Sequence, residues 1–497
     1  MKHDPAGVRT RTHLLTAALT TGLLTGLLTG LLTGLLTALP AGTATAAPAG
    51  FADDFNGDGV RDLVTAAPGA TVGGKAYAGA VVVNYGSASG ISAARRTVLT
   101  QNTAGVPGGA EAHDEFGSAL ASGDLDRDGY ADLVIGTEKE DVGGDKDGGG
   151  VTVVWGGKDG LSGGSSVPDP TPSAHDAFGL SLAVGDFDGD RRPDLAVGST
   201  GKDVWIHEGL GRNTPATARH KVTADLTTGI VGGARVLASG DLDKDGTADL
   251  VVGGSYATDE PSAYFDGTQV FLGGEAGPVR QAVLRSGAYE TAAVGDVDGD
   301  GHDDVVTGAS PGSVRADDGG SVSVWLGGPD GVRTQAAQTL TQDSPGVPGA
   351  DEPDDWFGHA LSLDDIDGDG RADLAVSANF ETIGAAELAG SVTVLRGGPA
   401  GLTTTGAQSF TQNTAGVPGT AETGDRFGWS LRLTDVDRDG RADLAVGADA
   451  ENAGDGGVWL LPGTSTGVTT RNTVNFGPSS VGLSTAGAPR LGAGMLR

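Results

Sequence analysis

The chain has 497 residues, a formal charge of −33 and no cysteine. Such acidity argues against nucleic acid or an anionic membrane as partner, and the lack of thiols excludes disulfides, zinc–thiolate sites and a cysteine nucleophile. With 88 glycines and few helix-forming runs, the composition favours many short strands joined by tight turns.

The N-terminus carries Lys2, Arg9 and Arg11, then an uncharged span from Leu14 to Leu39 built on repeated Leu-Leu-Thr-Gly units. Ala44-Thr45-Ala46 follows, with small residues where a signal peptidase cuts, so residues 1–46 are read as a secretory signal and the rest as extracellular. The span exceeds the roughly 20 residues that cross a bilayer, which makes an uncleaved anchor the alternative. No second span, twin arginine or hydrophobic C-terminal tail occurs, so no membrane association is expected once the signal is removed.

Residues 47–497 are organised around an acidic loop that occurs seven times, starting at Asp54, Asp124, Asp186, Asp241, Asp296, Asp365 and Asp435. Position 3 holds Asn56, Asp126, Asp188, Asp243, Asp298, Asp367 and Asp437, and position 5 holds Asp58, Asp128, Asp190, Asp245, Asp300, Asp369 and Asp439. Position 9 holds Asp62, Asp132, Asp194, Asp249, Asp304, Asp373 and Asp443. Four carboxylates on so short a loop repel one another without a cation. Hard oxygen donors in that number suit Ca²⁺, so up to seven ions are expected, one per repeat. Position 7 would add a backbone carbonyl, which leaves its side chain free to be Val60, Tyr130, Arg192, Thr247, His302, Arg371 or Arg441. Gly at position 6 allows the sharp turn in six loops; Arg191 in the third, and Asn56 in the first, predict two weaker sites. An EF-hand is excluded, because the twelfth position, where that loop needs Glu, holds Thr65, Ile135, Val197, Val252, Thr307, Val376 and Val446.

Each unit reads alike. The second runs from Phe116-Gly through the loop to Asp132-Leu-Val-Ile-Gly, then Gly150-Val-Thr-Val-Val-Trp-Gly157, then a weaker stretch at 165–167. That is the content of a four-stranded antiparallel blade, with strands A to D. The first unit starts almost at its loop and lacks strand A, whereas Arg490-Leu-Gly-Ala-Gly-Met-Leu496 parallels Arg426-Phe-Gly-Trp-Ser-Leu431 with no loop after it. An all-β, seven-bladed β-propeller closed by its C-terminal strand is therefore predicted. Three similar connectors (100–108, 341–349 and 411–419) precede blades and end in acidic stretches; by strand parity they lie on the face opposite the acidic loops.

The Phe-Gly starts, the Asp-rich loops and endings such as Ala66-Ala-Pro and Gly308-Ala-Ser-Pro resemble the FG-GAP repeats of integrin α-subunit propellers and their bacterial secreted relatives. The resemblance covers about residues 51–497. It implies a seven-bladed propeller, Ca²⁺ in the A–B loops and ligand contact on the opposite face. All seven units keep an Asp loop, unlike the integrins, and no stalk or inserted adhesion domain follows.

Nothing converges as a catalytic centre. Two Gly-x-Ser-x-Gly matches, at Gly308–Gly312 and Gly463–Gly467, fall at a strand end and a turn, without the helix that a nucleophile elbow needs. His113 and His175 stand beside Asp114 and Asp176 at equivalent loop positions, as structural residues would. Trp155, Trp205, Trp325 and Trp459 are expected to pack between blades or, alternatively, to stack on sugars. The expected function is a secreted, calcium-binding adhesion module for a protein or glycan, acting as a monomer. An extracellular polysaccharide lyase or hydrolase is the alternative, requiring His113, His175 or His359 to cluster with a basic residue at the axis.

Overall fold

The computed structural model describes residues 49–496, apart from 213, 215–218, 229–231, 258–263, 286–289 and 310–318. The expected signal segment, and Ser310 and Gly312 of the first Gly-x-Ser-x-Gly match, lie outside the described residues.

The strands form seven four-stranded antiparallel sheets. In the second blade they are Ala119–Gly123, Asp132–Thr137, Gly150–Trp155 and Ser162–Val167, from A to D. Leu133 of strand B pairs with Ser122 on one side and Val154 on the other. Every residue of strand B is buried in the blades starting at Leu63, Asp132, Asp194, Asp373 and Asp443. These apolar runs are covered on both faces because each sheet stacks against its neighbours. Strand D is more exposed, as in Thr403–Phe410, where the chain turns outward. Helix among the described residues is confined to Glu451–Gly454 and a 3₁₀ turn at Pro478–Val481.

The inner strands close a ring. Gly494–Met495 touches Ala119–Gly123, and contact then passes through Ser181–Gly185, Val236–Gly240, Glu290–Gly295, Phe357–Asp364 and Ser430–Thr434 back to Gly494–Met495. Gly494–Met495 pairs with Leu63–Ala67, so the C-terminus supplies strand A of the first blade. The two chain ends are also tied by charge. Buried Asp53 accepts from Arg432 of the last blade at 3.0 Å, and Arg61 donates to Asp364 of the sixth at 2.9 Å.

The Phe-Gly motif locks blade to blade. Phe116 is fully buried among first-blade residues such as Val64, Val81 and Leu99. Its amide donates to Ala78 O at 3.1 Å. Next to that bond, Gly79 has φ +88°, and a Cβ there would lie 2.3 Å from the amide N and the carbonyl O of Phe116. Gly79→Ala is therefore expected to cost roughly 3 kcal/mol, from a left-handed backbone plus forced separation of two blades; a urea midpoint equal to wild type would refute that. In the fourth blade Gly233 stands where Phe is usual, and Leu226 is buried in the corresponding interblade cluster.

Trp155, Trp325 and Trp459 pack as expected, with at most 4% of their surface exposed. Trp205 is half-buried beneath Lys221, whose ammonium lies 5.4 Å from the indole centroid.

Candidate metal centres and the opposite face

Each acidic loop is built by its own carboxylates. The position-1 Asp accepts from the amide of position 6 in all seven, from 2.7 Å at Arg191 to 3.2 Å at Gly129. The position-5 Asp accepts from the amide of position 7, as in Asp128 and Tyr130 at 3.1 Å. These bonds coil the chain tightly enough to need left-handed backbone at two positions. Position 6 was expected, and Arg191 there has φ 67°. Position 4 was not foreseen: it holds Arg127, Lys244 and Arg438 at φ 58°, 61° and 62°, and glycine in the other four loops.

The position-9 Asp anchors the loop to the blade. Asp132 is fully buried, accepting from Leu125 N at 2.9 Å and from Gly156 N at 2.9 Å after strand C. The first of these bonds occurs in all seven loops. Position 2, its donor, is a buried apolar residue throughout: Phe55, Leu125, Phe187, Leu242, Val297, Ile366 and Val436. Asn56 keeps the local fold without the charge, its Oδ1 accepting from Asp58 N at 2.9 Å.

The carboxylates converge. One oxygen from each of Asp124, Asp126 and Asp132 lies within 4.8 Å of the others, and the same holds for Asp186, Asp188 and Asp194, for Asp241, Asp243 and Asp249, and for Asp296, Asp298 and Asp300. Burial, then the position-5 carboxylate, raises Asp126, Asp243, Asp298 and Asp437 above the ordinary range. Burial foremost pushes Asp62, Asp132 and Asp194 up to about 8, and Asp249, Asp304, Asp373 and Asp443 up to about 7. A donor set of oxygens alone, with its charges crowded and partly dehydrated, fits a hard divalent cation such as Ca²⁺. Arginines reach the rims: Arg212 of the third blade forks onto Asp126 and Asp128 of the second at 2.9 Å each.

Without metal, the buried position-9 acids favour the folded state at low pH. Folded-state values near 7–8 exceed the unfolded value of 3.8, so these groups contribute stability that is complete below the unfolded value and lost as pH rises through 7–8. In excess chelator the melting temperature should therefore fall between about pH 5 and about pH 8, and added Ca²⁺ should restore most at the upper end. A chelated melt that rises over that window would contradict the assignment.

The A–B loops share a face with the C–D turns, as the bond from Gly157 N to Phe55 O illustrates. The long connectors lie on the other face. There Gln101, Gln342 and Gln412, all buried, each donate at 2.6 Å to a carboxylate 39 residues on: Glu140, Glu381 and Glu451. Glu352, Asp355 and Glu381 bring oxygens within 4.8 Å of one another, and burial with the charge of Glu381 pushes Asp355 up to about 7. The sequence predicts the face and the acidic character of these connectors, but not the Gln–Glu pairs that tie them down.

The suspected catalytic groups separate. His113 is exposed and stacks on Tyr77 at 5.4 Å. The side chain of His175 is buried, 3.3 Å from Thr171 Oγ1 and 3.5 Å from Asp169. Gly463–Gly467 forms the C–D turn of the last blade, with no nucleophile elbow. His359 alone of the three lines an axial cavity of about 600 Å³, together with Trp356, Trp429, Glu138 and Arg235.

The repeat unit is now defined by its Phe-Gly lock, its acidic A–B loop and its buried strand B. The FG-GAP repeat model matches residues 46–83, 116–154, 288–325, 357–395 and 427–461, and the FG-GAP-like repeat model matches 186–252, so that all seven blades are touched. The chain belongs to the FG-GAP repeat family. This FG-GAP propeller is 33% identical over 190 residues to phosphatidylinositol-glycan-specific phospholipase D of Bos taurus, covering 36% of this chain and 22% of that one. It is 31% identical over 232 residues to integrin alpha pat-2 of Caenorhabditis briggsae, covering 41% of this chain and 18% of that one. The chain thus spans about a fifth of the length of these relatives. Among solved structures, the Dos1 propeller aligns with a TM-score of 0.42 at 10% identity, over 77% of this chain and 78% of that one. No helix among the described residues is long and apolar enough to cross a membrane.

Proposed function

We propose that this FG-GAP propeller is a secreted, calcium-stabilised binding module without catalytic activity, which engages an extracellular protein or glycan on the face opposite its metal loops. The observation that carries this reading is the segregation of the two faces. Seven acidic loops and the C–D turns take up one face, which leaves the other to the long connectors and an aromatic-rimmed axial cavity. Propellers commonly hold small ligands at such an opening. Similarity to an integrin α chain supports a binding role, and similarity to a phospholipase D keeps catalysis in view, since the matched part is a small share of either relative.

The Ca²⁺ ligands would be the position-1, -3, -5 and -9 side chains with the position-7 carbonyl, and their part is to hold each A–B turn shut. The experiment is binding of the whole chain to a glycan array and to surface extract of the source organism, with Ca²⁺ and in chelator, alongside a screen for glycan cleavage. Saturable binding without turnover is expected. His359 and Arg235 lining one cavity is the arrangement that the lyase alternative requires; turnover abolished by His359→Ala would establish that alternative and reject the binding-only reading.

A further inference from the structure

The axial cavity has an apolar depth and a polar mouth. Leu120, Leu182, Leu237, Leu361, Leu431 and Met495, each from the inner strand of a different blade, line the depth. At the mouth, Trp356, His359 and Trp429 come from the sixth and seventh blades, and Glu138 and Arg235 from the second and fourth. The aromatic side is rigidly backed. The guanidinium of Arg426 sits 4.4 Å from the centroid of Trp429 and donates to fully buried Asp449 at 3.0 Å. Phe380 lies 4.6 Å from Trp356, and His359 fills the gap at 5.7 Å from Trp356 and 4.8 Å from Trp429.

Backbone geometry explains how Trp356 reaches the mouth. The residue before the Phe-Gly pair has positive φ at Glu115, Ala177, Trp356, Arg426 and, before Leu491-Gly492, at Arg490, with values from 54° to 60°. The fold therefore demands a left-handed residue there in blade after blade, and a bulky indole at φ 60° is a costly choice for it. Trp356, His359 and Trp429 nevertheless stay only half-buried, so part of their surface faces the cavity.

We propose that this cavity receives the terminal pyranose of a glycan; the inference rests on the binding-module reading and names its ligand class. A pyranose carries an apolar C–H face and a rim of hydroxyls. The face suits a preorganised indole wall, and the hydroxyls suit a carboxylate acceptor and a guanidinium donor across the mouth. An organic cation fits worse, because Arg426 already covers one face of Trp429 and Arg235 lines the mouth. A wholly apolar ligand would further bury the charges of Glu138 and Arg235 while offering neither a hydrogen bond. The cavity volume of about 600 Å³ lies within the roughly 300–1,000 Å³ usual for small-ligand sites.

The test uses the whole chain with Ca²⁺ on an array of defined glycans, then titration of the retained glycan followed by tryptophan fluorescence, for wild type, Trp356→Ala, Trp429→Ala and Glu138→Gln. Binding is expected to weaken roughly ten-fold or more in each variant at an unchanged melting temperature. Glu138→Gln preserves shape and decides the matter if either tryptophan variant fails to fold. A glycan held equally well by Glu138→Gln and by the folded tryptophan variants would overturn the cavity assignment while leaving the binding module standing. No glycan retained, with a protein bound from surface extract, would do the same. Absence of any ligand would overturn both.

Discussion

Excess chelator should lower the melting temperature of this FG-GAP propeller by roughly 10 °C, the sum of seven small linkage terms. A site at tenfold its dissociation constant stabilises by about 1.4 kcal/mol, so seven give about 10 kcal/mol; an unfolding entropy near 2 cal/mol/K per residue converts that to about 1 °C per kcal/mol for a chain of this size. Asp128→Ala should move the melt by only about 1–2 °C, since it weakens one loop and leaves six. Calorimetric Ca²⁺ titration should resolve weaker sites at the first and third loops. There Asn56 removes a charge, and Arg191 holds φ 67° where glycine is at ease. A melt indifferent to excess chelator would remove the metal from this account. Asp132 and its six equivalents would then be buried carboxylates held only by backbone amides.

Much of this molecule was legible before its coordinates because one physical unit is written seven times. Repeated Asp loops at fixed distance from apolar strands B specify a blade, and the missing strand A at Phe51 together with the surplus one at Arg490 specifies closure. What escaped was whatever depends on distant residues meeting. Gln342 and Glu381 are far apart in the chain and become partners only when a connector folds across a B–C turn. Trp356 and Trp429 flank the Phe-Gly pair at positions that vary from blade to blade, so no periodicity singles them out, whereas the recurring strand C tryptophans Trp155, Trp325 and Trp459 are core. A signal did exist for the second left-handed position of the loop. Glycine stands at position 4 in four loops out of seven, at Gly57, Gly189, Gly299 and Gly368, but Arg127, Lys244 and Arg438 masked it.

Removing residues 490–497 should have the other large effect, converting a closed ring into an open and aggregating one. The segment buries Leu491 and Met495 between the first and last blades and Leu496 between the first and second, each at most 5% exposed. Arg490 also donates to Asp449 at 2.7 Å, and that carboxylate has no solvent to fall back on. Loss of three buried apolar side chains, at roughly 2–5 kcal/mol each, together with half the counter-charge of a buried acid, is as large as the net stability typical of a domain. The truncation further exposes the free edge of Leu63–Ala67, a fully buried apolar strand and hence a template for pairing with other chains. The expected result is loss of the cooperative melt and oligomers on size exclusion, with a synthetic peptide of residues 488–497 restoring monomers in part. A truncated chain that melts like wild type and elutes as a monomer would mean that contact between the first and seventh blades, through Asp53 and Arg432, suffices to hold the ring.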